Sequence, residues 1–148
     1  MANNCANSIL FQGDKVSECM EFIKSRIRED GNNIFVVDGE YDKCFFDIDA
    51  DSERLNFTTK WGPDILQIHA LALKFGLQYE YYYEELGCEV YGCAIFDGEF
   101  ISIYDLEDSH FQEIEEDEEE GTYKFRGEEY ESQYDILDIL LEEEIKKV

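Results

Sequence analysis

Between residues 77 and 104, three runs of strand-forming residues follow one another with very little chain between them. Residues 77–83, 88–96 and 100–104 are rich in Tyr, Val, Ile and Phe, and they are separated by Glu84-Glu85-Leu86-Gly87 and by Asp97-Gly98-Glu99. Asp-Gly between two apolar runs is among the strongest short-range hairpin signals, because both residues accept the positive φ that a tight turn requires. The segment therefore predicts a three-stranded antiparallel meander, and the rest of the chain must build around it.

Upstream, residues 7–13 form a short strand-like run stopped by Gly13, and Asp14 stands where a helix N-cap would. Val16, Cys19, Met20, Phe22, Ile23 and Ile27 then recur at spacings that place them on one side of a helix over 16–27. Asp30-Gly31-Asn32-Asn33 closes it. Three short strand candidates follow at 34–37, 44–48 and 55–59, separated by Asp-Gly and Asp-Ser turn signals. Pro63 opens a second amphipathic helix over 63–75, since proline suits a first turn whose N–H groups lack partners, and Gly76 ends it.

After the meander, 123–125 adds a short strand and 134–148 a terminal helix carrying Ile136, Leu137, Ile139, Leu140, Leu141 and Ile145. The run Glu113 to Glu120 reads as a solvated loop. Helices and strands in this order predict an α+β fold, with helices packed on one face of a mainly antiparallel sheet. The opening β-α-β and later α-β pattern is compatible with a ferredoxin-like plait. The expected organisation is one domain over 1–148, a ferredoxin-like core at 1–105 and an acidic extension with a terminal helix at 106–148.

A chain of 148 residues can bury roughly 70% of its unfolded surface. With 44% hydrophobic and 15% aromatic residues it has the means to form a core despite a net charge of −25. That charge is uneven: residues 75–148 hold 24 acidic against 4 basic residues. Folding requires no such excess, because self-repulsion opposes the compact state. It disfavours binding to nucleic acid or anionic lipid, so a basic protein is the natural counterpart.

The five cysteines lack metal or redox spacing, and residues 1–12 have neither a basic segment nor a long apolar stretch. The expectation is a cytoplasmic protein with reduced, buried thiols. No run approaches the 18 or so apolar residues of a membrane span.

Two segments carry a family resemblance. One is Met1-Ala2-Asn3-Asn4-Cys5-Ala6-Asn7-Ser8-Ile9, leading into the first strand and Gly13. The other is Phe57-Thr58-Thr59-Lys60-Trp61-Gly62-Pro63, followed by a helix, Tyr79-Glu80-Tyr81-Tyr82-Tyr83-Glu84-Glu85 and Gly92. On these the chain resembles the YubB-type ferredoxin-like family of plasmid- and phage-encoded proteins, over roughly its first two thirds. The resemblance implies a ferredoxin-like fold and a mobile-element context, without a reaction. The family pattern often has two prolines after the tryptophan, whereas Asp64 follows Pro63 in this chain.

Chemistry-bearing patterns are few. Asp47, Asp49 and Asp51 resemble the start of a calcium loop, but Ser52 and Thr58 occupy the positions that need Gly and Glu. Cys88 and Cys93 are separated by four residues on a predicted strand and point to opposite faces, while His69 and His110 belong to no paired zinc motif. No nucleophile elbow, zinc-protease motif or phosphate-cradling glycine loop occurs. The reading is non-enzymatic, without catalytic residues, metal or cofactor. The tyrosine-rich strand 79–85 reads as an amphipathic strand with one aromatic face in the core, or as a contact strip. Trp61 reads as a core anchor.

The functional expectation is an acidic protein that occupies the phosphate-binding Lys and Arg residues of a basic, nucleic-acid-binding partner. The candidate contact residues are Glu107, Asp108, Glu113, Glu115, Glu116, Asp117, Glu118, Glu119, Glu120, Glu128, Glu129 and Glu131. With the mobile-element context, the sharpest version is a nucleic-acid mimic that inhibits a host defence protein. Two competing readings are an accessory domain whose acidity serves solubility or assembly, and a small enzyme or metal protein.

Overall fold

The computed structural model describes residues 4–27, 46–60 and 62–147, with only the backbone of Phe46 and Asp47. The strand expected at 34–37 and Trp61 lie outside the described residues. Strands β1 (Asn4–Gln12), β2 (Phe46–Ala50), β3 (Arg54–Lys60), β4 (Gln78–Glu85), β5 (Val90–Phe96) and β6 (Ile101–Asp105) form one sheet in the order β2-β3-β1-β4-β5-β6. Every pairing in it is antiparallel. Its first four strands, in the order 2-3-1-4 with helices after β1 and β3, make the ferredoxin-like plait. The expected meander is β4-β5-β6.

Helices α1 (Val16–Ser25) and α2 (Ile65–Phe75) cover one face. The side chains beneath them alternate along each strand: Cys5, Asn7, Ile9 and Phe11 on β1, Leu55, Phe57 and Thr59 on β3, and Tyr79, Tyr81 and Tyr83 on β4. Cys19, Met20 and Ile23 of α1 and Ile68, Leu71 and Ala72 of α2 close this core. The expected α2 start moves by two residues. Pro63 precedes the helix, and the Asp64 carboxylate caps it by accepting from Gln67 N–H at 3.4 Å. At the other end Gly76 takes a left-handed φ of 64°, and Leu77 N–H returns to the Ala72 carbonyl at 2.8 Å.

A third long helix, α4 (Gln133–Lys146), packs on the opposite face of the same sheet, over β5 and β6. Two helices thus share one face and the terminal helix takes the other. This explains why β5 reads as an uninterrupted apolar run: Ala94 and Phe96 point into the first core and Cys93 into the second. Gly92 has a separate reason. Tyr83 crosses above it to donate its hydroxyl proton to Asp105. A Cβ on Gly92 would lie 2.5 Å from the Tyr104 carbonyl oxygen and 2.9 Å from the Tyr83 hydroxyl.

The segment expected as a solvated loop is ordered otherwise. A short helix α3 (Asp108–Phe111) leads into a second sheet of β7 (Glu115–Asp117), β8 (Thr122–Phe125) and β9 (Glu128–Tyr130). The expected strand at 123–125 is β8, and its tight turn to β9 has positive φ at both Arg126 (52°) and Gly127 (82°). Within the acidic run only Glu115–Asp117 form a strand, because β8 offers them a partner, and Glu118–Glu120 stay in an exposed turn. Phe125, with Tyr123 and Tyr130 beside it, packs into the α4 core.

Candidate partner-binding surface

Register decides which way the acids of the second sheet face. Glu115 lies opposite Lys124, which lies opposite Glu129, while Glu116 lies opposite Tyr123, which lies opposite Tyr130. Cross-strand neighbours share a face, so Glu115, Asp117 and Glu129 point away from the core with Lys124 among them. Glu116 and Glu128 lie on the other face, at the ends of rows otherwise filled by Tyr123, Phe125 and Tyr130. The candidate residues therefore do not form one flat face: Glu115, Glu116 and Asp117 lie on the β7 edge of this sheet and Glu128 and Glu129 on the β9 edge.

Several of these carboxylates already have partners within the chain. Asp117 accepts from the backbone N–H groups of Glu119 and Glu120 at 3.2 Å each, and Gly121 N–H closes the turn on the Asp117 carbonyl at 2.8 Å. Glu129 accepts from the Thr122 hydroxyl at 2.7 Å and Glu128 from the Tyr130 hydroxyl at 3.0 Å. These three shape the sheet.

Glu115, Glu116, Glu118, Glu119 and Glu120 are exposed, and among the described residues no hydrogen bond engages their carboxylates. Glu115, Glu116, Glu118 and Glu119 line a hollow of 400 Å³ together with Asp117 and Lys124. Glu107, Asp108, Glu113 and Glu131 are exposed at the flanks, at the start of α3, after it and past β9.

Two other cations of this part of the chain, Arg126 and Lys147, are drawn to α4. Arg126 makes a two-pronged pair with Glu143 of α4, at 2.6 and 2.9 Å, and Lys147 pairs with Glu144 at 2.7 Å. Each pair holds its carboxylate below, and its basic group above, the ordinary range. The flank is tied to α4 through His110. Its Nδ1 accepts from Glu107 N–H at 2.9 Å, so its Nε2 carries the proton that reaches Glu144 at 2.9 Å.

The other candidates separate clearly. Asp49 and Asp51 are exposed at the β2–β3 hairpin, where Asp51 accepts from Ser52 N–H at 2.6 Å, and the Asp47 side chain lies outside the described residues. Among the described residues no group of three or more His, Cys, Asp or Glu side chains could hold a metal ion, and no helix is long and apolar enough to cross a membrane. Of the strip 79–85, Tyr79, Tyr81 and Tyr83 enter the core, and Tyr82 is the one tyrosine on the opposite face, 41% exposed, with Glu80 and Glu84 on either side.

Sequence reasoning missed a second concavity there, of 390 Å³, between β3, β1, β4 and β5. The available signal was Tyr82, which stands on β4 where the pattern of inward Tyr and outward Glu would place another acid. Its companions Ser8 and Tyr91 are remote in sequence.

Cys5, Cys19 and Cys93 are buried and Cys88 is exposed. Burial pushes Cys5 and Cys93 up to about 11 and Cys19 to about 12, from an ordinary 9.0. Thiol-specific reagent at pH 8 should label Cys88 in the native protein and reach these three only on unfolding, as read by mass spectrometry of labelled peptides. Above about pH 9 the unfolded chain releases protons that the native thiols keep, so stability should fall as pH rises. Urea midpoints measured from pH 7 to pH 10 check the direction.

No curated protein and no solved structure matches the chain. Residues 40–126, from ahead of β2 to the end of β8, match a family model described as the ferredoxin-like domain in Api92-like protein. With a 2-3-1-4 antiparallel plait at its centre and the match spanning more than half its length, the chain belongs to that family.

Proposed function

We propose that this is a non-enzymatic binding protein that presents ordered carboxylates to a basic, nucleic-acid-binding protein. One observation carries the reading: Glu115, Glu116, Glu118, Glu119 and Glu120 are exposed and unengaged on a strand and turn fixed from behind by Phe125 and Asp117. A fixed row of like charges costs stability, and its return is attraction for a surface built to hold phosphates. The mobile-element context of the YubB-type resemblance supports a host defence protein, such as a nuclease, as the partner.

A second reading has its own support. β7 is an edge strand, and charged side chains on an edge prevent pairing with other chains. The experiment separates the two. Immobilised protein should retain basic host proteins at about 50 mM salt, release them by about 200 mM, and lose them to added duplex DNA. A variant with these five glutamates changed to glutamine should retain none while its circular dichroism is unchanged. Retention by that variant, or retention indifferent to salt and duplex, would sink the proposal; mere loss of solubility would favour edge protection.

A further inference from the structure

α4 packs over the β5–β6 end of the second sheet face, and among the described residues its core does not extend over β3 and β1. The 390 Å³ hollow lies over that part, within the size range of small-ligand clefts. Its floor is made by the small side chains of Ala6 and Ser8 on the central strand. Register sets the walls: Ala6 is flanked by Thr58 and Glu84, with Tyr91 beyond Glu84, and Ser8 is flanked by Asn56 and Tyr82.

The walls are held in place from α4. Tyr91 donates its hydroxyl proton to Asp138, and Tyr134 lies close enough to act on the Glu84 carboxylate. Tyr82 stands free, and among the described residues no hydrogen bond engages its hydroxyl.

The charges at the hollow are mostly negative. Glu80 and Glu84 of β4 and Asp138 of α4 act on its tyrosines. Arg54 donates to Ser8 Oγ at 3.1 Å, and Lys60 lies at the far end of β3. Desolvation, reinforced by the charge of Asp138, holds the Glu84 carboxyl above its ordinary range. A cation entering here would relieve that like-charge pair, whereas a phosphate would be repelled. Tyrosine ring faces also attract cations, and a flat guanidinium stacks on them while forking onto a carboxylate.

We propose that this hollow is a docking pocket for an arginine side chain of a protein partner, stacked on Tyr82 and paired with Glu84. It rests on the reading of the chain as a binder of basic proteins and adds a second contact point, on the large sheet and apart from the β7 edge.

The test uses the full chain, isotope-labelled, titrated with the peptide acetyl-Gly-Arg-Gly-amide and with its citrulline counterpart, which keeps the shape and loses the charge. Amide shifts at Ser8, Tyr82 and Glu84 are expected with arginine and absent with citrulline. Tyr82→Ala and the isosteric Glu84→Gln should each weaken binding about tenfold. The five-glutamine β7 variant should leave it unchanged.

Equal binding of citrulline, shifts confined to the β7 acids, binding of a mononucleotide at these residues instead, or no shift up to about 10 mM peptide would each overturn the pocket. If Tyr82→Ala and Glu84→Gln still retain basic host proteins that the β7 variant loses, the pocket fails and the proposed function stands. If the β7 variant retains those proteins while arginine binding at Tyr82 persists, the pocket stands and the β7 reading fails.

Discussion

Leu140→Ala should cost about 2–5 kcal/mol of stability, the range for emptying a buried leucine site that only partly collapses. Leu140 is 1% exposed, packed with Ile136, Leu137 and Leu141 of α4 against Cys93, Leu106 and Phe125. This second core is distinct from the one beneath α1 and α2, with β5 lying between them. The loss should therefore be uneven. Urea unfolding reports the total, and amide exchange should quicken most in α4 and β7–β9, with β1 and β3 protected longer. Uniform acceleration over both sheets would show the two cores to be one cooperative unit. The substitution also bears on the carboxylates of β7, which are fixed only while Phe125 has α4 to rest on.

Asn7→Ala should be nearly as damaging, at about 3 kcal/mol, although the side chain removed is small and polar. Asn7 is 4% exposed at the centre of a buried network. Its amide N–H groups are shared among the Thr59 hydroxyl at 2.9 Å, the Cys5 carbonyl at 3.0 Å and the Phe57 carbonyl at 3.3 Å. Its oxygen accepts from the Tyr81 hydroxyl at 2.6 Å, and Tyr81 in turn accepts from Asp64 N–H at 3.1 Å. Gln67 Nε2 completes the chain on Asp64 at 2.6 Å.

No buried side-chain polar atom among the described residues lacks a partner, so removing the hub creates several orphans at once, each costing about 1–3 kcal/mol before relaxation. Tyr81→Phe removes one hydroxyl, the donor to Asn7 and the acceptor for Asp64 N–H, and should cost about half as much. Equal losses in the two variants, measured by urea denaturation, would show that Asn7 is not the hub.

The parts of this fold visible in the sequence are those whose cause is local. Asp97-Gly98 needs only its flanking runs to announce a hairpin, and the α1 stripe from Val16 to Ile23 repeats within a few turns. β7 had no such advertisement. Glu115, Glu116 and Asp117 contain no apolar residue, and their strand exists because Thr122, Tyr123 and Lys124 pair with them and Phe125 is buried behind. Pro63 suggested the helix start, yet the neighbouring Asp64 caps it with a side chain that also reaches Gln67.

The polar network was invisible for a different reason. Asn7, Thr59 and Tyr81 each look ordinary in an alternating strand, and only the strand order brings them together. Of the candidate surface, composition marked the region correctly as a place of excess charge. It carried no sign that Asp117, Glu128 and Glu129 hold the sheet together while their neighbours are left free, because that division depends on register.

β1 is the middle strand of the plait, bonded to Arg54–Lys60 on one side and to Gln78–Glu85 on the other. During synthesis it leaves the ribosome ahead of both its partners and must wait for some seventy further residues before both its edges are satisfied. An excised piece spanning only 40–126 would lack the strand that joins β3 to β4 and would leave unpaired the edges of β3 and β4 that β1 covers in the intact chain. Recombinant work on this family should therefore begin its fragments ahead of β1, or expect insoluble material whatever the charge on the rest of the surface.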